Sequence, residues 1–167
     1  MNTEIAAILE ELEQAHRGEP WHGPSRAQVL ADISAEEAAR HPGGEAHGIW
    51  ELVLHMHAWT MEVTRRMGGA PPGMPIEGDW PPLPDPSPGA WDDARRTLDA
   101  AHDKLATVIV SFPPERLDER VGPNRDAALG TGATYRVMLH GLAQHDAYHT
   151  GQIAILVRLY RTAVTPP

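Results

Sequence analysis

Cysteine is absent from this chain of 167 residues. Its absence excludes disulfides, zinc fingers and a thiol nucleophile, so any metal site has to be built from His, Asp or Glu. Long apolar runs are missing as well. No stretch reaches the roughly 18 apolar residues that a membrane-spanning helix needs. The opening residues Met1-Asn2-Thr3-Glu4-Ile5 have neither the basic segment nor the apolar core of a secretory leader. The expectation is a cytoplasmic chain with no membrane partner. Positive charge is scarce: 14 Lys and Arg stand against 23 Asp and Glu, a formal charge of −9. Binding to phosphate backbones is cationic work, so no nucleic-acid partner is expected. Also missing are a Gly-x-Ser-x-Gly nucleophile turn, a dinucleotide fingerprint and a phosphate loop. If the chain is an enzyme, a metal carries its chemistry.

What is present is amphipathic helix. The length suits one domain, residues 1–167, with a sizeable core. Thr3–His16 places Ile5, Ile8, Leu9, Leu12 and Ala15 at helical spacing, with Thr3 as the expected cap and Gly18 and Pro20 as the stop. Short helices are expected over 26–33, capped by Ser25, and after Ser34, where Ser34 and Glu37 match a capping box. Gly48–Met67 is the second long helix, with Ile49, Leu52, Val53, Met56, Ala58, Trp59 and Val63 in its apolar stripe. Residues 70–88 are dense in proline and read as a long extended loop, from which Ile76 and Trp80 are able to pack down. A third long helix runs from Pro88 or Gly89 to about Phe112, and a fourth from Ala133 to about Thr162. Between them lie a short turn from Pro114 to Leu117 and a loop over 121–132. Gly141 and Gly151 inside the last helix suggest a close helix approach or a bend, and the tail from Val164 is expected to fray. No strand pattern competes. The fold class is all-α, a four-helix bundle with long connecting loops.

The chemistry is concentrated in histidine, of which there are ten. His145 and His149 are four residues apart on the last helix, so their rings stand on one face about one turn apart. Catalytic zinc commonly takes three protein ligands and leaves one position open. In a bundle the third comes from a facing helix. His55, on the apolar stripe of the second long helix, is the best candidate. His57 and His140 are rotated away from these faces. Glu51, one turn before His55, Asp146, directly after His145, and Gln152, after His149, are candidates to orient the ligands, with plain solvation the equal alternative for the two acids. His22 and His47 either shape the turn before Ser25 and cap the helix from Gly48, or line a cavity mouth and shuttle protons; Tyr148 either bonds a substrate or packs between helices. Glu51 or His57 would be the fourth ligand of a closed, purely structural site.

Three segments carry a family resemblance: Trp21-His22-Gly23-Pro24-Ser25, His47-Gly48-Ile49-Trp50-Glu51-Leu52-Val53-Leu54-His55 and His145-Asp146-Ala147-Tyr148-His149-Thr150-Gly151-Gln152. Together, and in this order, they resemble the DinB superfamily, the damage-inducible, YfiT-like metal-dependent hydrolases and thiol transferases. The resemblance implies a bundle of DinB/YfiT-like type with a divalent ion, zinc or nickel, on His55, His145 and His149. It further implies a small-molecule substrate, a low-molecular-weight thiol as cosubstrate where the reaction is S-transfer, and a homodimer. Hydrolysis and thiol transfer both remain open on these motifs. So do a non-catalytic metal or small-ligand binding module and a structural homodimer.

Overall fold

The structure is a computed structural model and describes residues 2–162; the expected fraying tail lies outside the described residues. It is all-α. There are four long helices, α1 (Thr3–His16), α4 (Ile49–Met67), α5 (Pro88–Val110) and α6 (Tyr135–Thr162), and two short ones between α1 and α4, α2 (Arg26–Leu30) and α3 (Ala35–Ala39). A 3₁₀ turn over Pro114–Asp118 follows α5. No described helix is long and apolar enough to cross a membrane. The helix starts follow local chemistry. Ser34 and Glu37 exchange backbone bonds at α3, as their spacing predicts. Ser87 accepts from Ala90 N ahead of Pro88 at α5. At α1 the cap is Asn2 rather than Thr3: its amide oxygen accepts from Glu4 N and Ile5 N.

The cross-helix contacts fix the directions. Glu4 meets Arg136 and Glu11 meets His140, so α1 and α6 run parallel. His55 meets His145 while Tyr135 reaches Arg66 O, so α4 and α6 run antiparallel. Trp50 packs on Trp91, and Val63 and Met67 share a core with Leu105 and Ile109, so α4 and α5 run parallel. A parallel neighbour forces the connection to travel back along the bundle. At 1.5 Å per residue α4 is about 29 Å long, whereas 68–87 in extended form reach about 60 Å. The proline-rich loop is therefore a return strap with length to spare.

That strap descends α4 residue by residue. Arg65 donates to Pro71 O, Arg66 to Gly73 O, and Gly73 N to Glu62. Farther on, Trp59 Nε1 donates to Asp79 Oδ1 at 2.7 Å, and Trp80 stacks on His55. Trp80 packs down as its aromatic character suggests, while Ile76 is left exposed. Glu62 anchors the strap. Burial pushes its carboxyl up, but Arg65, Arg66 and Gly73 N together hold it below the ordinary glutamate range.

The core is in two pieces. One apolar cluster joins α1 to the C-terminal half of α4, the end of α5 and the start of α6, through Ile8, Leu12, Val63, Ile109 and Leu139. The other joins the start of α4 to the start of α5 and the end of α6, through Trp50, Val53, Trp91, Leu98 and Ile153. Between them lies a buried polar layer: His16, Arg26, His55, His102, Asp146, His149 and Thr150. Burying such groups costs free energy unless they are paired, so a whole layer of them in a bundle centre points to function.

Candidate metal centre

His55 stands in the middle of α4, and His145 and His149 stand one turn apart on α6, facing it. One ring nitrogen from each lies within 4.8 Å of the others, and no fourth His, Asp or Glu joins the cluster among the described residues. The tautomers follow from the outer partners. His55 Nδ1 lies 2.6 Å from Asp79 O, which only accepts, so Nδ1 carries the proton. His149 Nδ1 lies 2.6 Å from Gln152 Oε1, and donates to it in the same way. Gln152 is oriented by its own amide nitrogen, which donates to Tyr148 Oη at 3.4 Å. Both rings are thus left with bare Nε2 atoms turned inward.

The bare Nε2 of His55 lies 3.0 Å from His145 Nε2, a distance that a proton on the latter bridges. The nitrogens of a tetrahedral zinc site stand about 3.3 Å apart, so an ion that displaces this proton needs little movement of the rings. Burial, first of all, depresses the basicity of two of the rings. His149 falls to about 4, with the neighbouring His145 adding to the effect, and His55 is lowered as well. Neutral imidazoles with converging lone pairs are what a divalent ion requires. The donor set, the tautomers and the spacing fit a metal ion.

Asp79 is a residue the sequence reading did not single out. Besides its carbonyl, its carboxylate stands 3.3 Å from His55 Nδ1 while accepting from Trp59. The acceptor at His55 is therefore Asp79 and not Glu51. Glu51 instead accepts from Gly48 N at 2.6 Å and closes the first turn of α4. Replacing Asp79 with Ala is expected to lower zinc affinity about tenfold, the low end of the usual range for such partners. Chelator competition reads this, and an unchanged affinity would leave the carbonyl alone in control of the ring.

The other expected site residues divide. His47 is brought in: its ring stacks on Trp80 at 3.4 Å, and Trp80 stacks on His55 at 4.0 Å, so the indole is held between two imidazoles. Tyr148 meets His149 edge to face and is largely exposed. His22 is not brought in. It is exposed and lines a separate cleft with Trp21, Glu11 and Gln144, because the α1–α2 turn sits on the α1 side of α6. His57 faces Glu77, and His140 faces Glu11.

Behind His145 is a buried ion pair. Arg26 Nη1 bonds Asp146 Oδ2 at 2.8 Å, both side chains almost fully buried. The other carboxylate oxygen is 3.8 Å from His145 Nδ1, and neither atom has a hydrogen-bond partner among the described residues. Burial pushes the Asp146 carboxyl up, but Arg26, with His145 and His102, holds it below the ordinary range. Arg26 also contacts His16 Nδ1, and His16 stacks on His102 at 3.9 Å.

Two cavities reach the triad. One, of about 490 Å³, opens beside His55 and His145; the other, of about 520 Å³, is lined by His47, Trp80, His149 and Gln152. Both fall in the size range of small-molecule sites, about 300–1,000 Å³.

A family model, that of the DinB superfamily, matches residues 26–153. No curated protein and no solved structure matches the chain.

Proposed function

From its membership of the DinB superfamily, to which this chain belongs, we propose that it binds one divalent ion, zinc or nickel, through His55, His145 and His149 and acts on a small molecule. The observation that carries the reading is the convergence of these three ring nitrogens with no fourth protein ligand among the described residues. Glu51 and His57, the two side chains that would close a structural site, are engaged elsewhere. A divalent ion held by three neutral ligands supplies Lewis acidity at an open position and lowers the pKa of a bound thiol or water toward neutrality. Gln152 and Asp79 orient the rings, and the strap carrying Trp80 shields His55 from solvent.

Of the two reactions, transfer of a low-molecular-weight thiol is favoured by the presence of two cavities at the triad. Transfer needs room for two organic molecules, and hydrolysis for one. In transfer, sulfur forms the new bond to carbon, the leaving group departs with its electron pair, and the thiol proton passes to solvent. The second cavity is lined by Glu45, His47 and Gln152 beside His149, hydrogen-bonding groups for the polar body of the thiol.

Elemental analysis of the untagged protein beside His55→Ala, His145→Ala and His149→Ala variants tests the reading. About one ion per chain is expected in the parent, with loss of stoichiometric binding in each variant and little change in helix content. Full occupancy in the variants would remove the site assignment. With the metal in place, consumption of thiol and electrophile in equal amounts is the expected activity. Ester cleavage without thiol would shift the reading to hydrolysis.

A further inference from the structure

The cavity over His55 and His145 has features that the metal does not explain. Its walls are mostly apolar, with Val63, Leu129, Val137, Met138 and Leu142 around the edge of Trp59, and the carboxylate in its lining, that of Asp79, is engaged by Trp59 Nε1 beside His55. Its rim carries Arg125, exposed and with no hydrogen bond or ion pair among the described residues. The cavity's other arginine, Arg66, is spent on Glu62, Leu129 O and Gly73 O. The loop that presents Arg125 is held in place. Val121 and Gly132 bond across it, Thr131 ties Asp126 N and Asn124 O, and Gly132 at φ +73° lies so close to the Arg125 backbone that a Cβ would clash at 2.8 Å.

Gly141 also lines this cavity, one turn before His145 on α6. It serves no close helix approach, since nothing lies within 4 Å of where its Cβ would be. A mid-helix glycine costs about 1 kcal/mol against alanine, and the space it leaves open is the cavity itself. Charge adds direction. A divalent ion on three neutral imidazoles keeps its full charge, and Arg125 adds a second positive centre across an apolar slot, in a chain whose formal charge is −9.

We propose that this cavity receives a small carboxylate with an apolar body: the anionic end on Arg125, the body in the slot left by Gly141, the far end at the triad. Gly141 sets the width of the slot and Arg125 the preference for the anion. That this molecule is the substrate rests on the metal reading above; that it binds here does not.

The test is a titration of zinc-loaded and zinc-free protein with 3-phenylpropionate and with its uncharged amide, followed by tryptophan fluorescence, since Trp59 lines the cavity. In the parent the carboxylate should bind at least tenfold more tightly than the amide. Arg125→Gln should abolish that preference and leave the amide unchanged. Gly141→Leu should weaken both ligands at least tenfold while keeping helix content and zinc stoichiometry, because leucine favours the helix. A parent that binds neither ligand, an Arg125→Gln variant that keeps the preference, or a Gly141→Leu variant that binds both as before would overturn the proposal. The zinc content of the same samples separates the two claims. Carboxylate binding without zinc uptake sinks the metal reading and leaves this one standing, and zinc uptake without carboxylate binding does the reverse.

Discussion

Replacing Arg26 with leucine is expected to destabilise the fold by about 3–5 kcal/mol, the cost of stranding a buried charge. Arg26 and Asp146 are 120 residues apart in sequence, yet their side chains are about 1% and 3% exposed and 2.8 Å apart. Removing the guanidinium leaves the carboxylate in the bundle centre with no counter-ion and leaves His16 Nδ1 without its partner. Urea unfolding of the metal-free protein measures the loss, and a change under about 1 kcal/mol would show that water already relieves the pair. The double variant Arg26→Leu with Asp146→Leu separates the pair's worth from the penalty of breaking it. It should regain most of the stability, because two apolar side chains leave no orphaned charge. It should not regain full zinc affinity, because His145 Nδ1 then has no acceptor within reach. A double variant that is stable and binds zinc as tightly as the parent would confine the ion pair to a purely structural role.

This pair also shows where reading a sequence stops. His145 and His149 were legible because i and i+4 share a helix face, and His55 because it lies on the apolar stripe of a helix able to pair with them. The long helices were legible from their period and the short α3 from its Ser34–Glu37 box, while the cap of α1 fell on Asn2, one residue before the expected Thr3. Asp146 follows His145 by about 100° of helix rotation, which read equally as solvent or as support for the ligand. That face is covered because α6 packs against α1 and α2 as well as α4, a fact of topology and not of local pattern. Asp79 was hidden for a related reason. It sits on a strap with no periodicity, and it reaches His55 only because α4 and α5 run parallel and the chain must return. Of the two readings of the α6 glycines, the close helix approach fails, since neither Gly141 nor Gly151 meets a neighbouring helix.

The second large effect is with pH. Stability of the metal-free protein should fall by about 2–3 kcal/mol between pH 6 and pH 5, a window in which carboxylates remain mostly ionised in both states. The cause is buried histidine. Burial, then the Arg26 charge, then the stacked His102 lower His16 from 6.5 to about 2. Burial, then His145, lower His149 to about 4. In the unfolded chain both return to about 6.5. Below that pH the unfolded state takes up protons that the folded state refuses, so stability is full above pH 6.5 and declines as pH falls, until the folded pKa values are reached. Each such proton is worth at most about 1.4 kcal/mol per pH unit, so two account for the stated loss; His55 and His102, lowered by burial as well, steepen it further. Zinc at saturating concentration should increase the acid sensitivity, because protons and metal compete for the same imidazole nitrogens. His16→Gln reports on the Arg26 layer alone. It should remove one proton's share of the slope and leave zinc binding at pH 7 unchanged, since His16 is not among the three rings. A stability that stays flat from pH 7 to pH 5 would mean that the buried rings are solvated in solution, and the polar layer would then be a wet channel through the bundle and not a dry one.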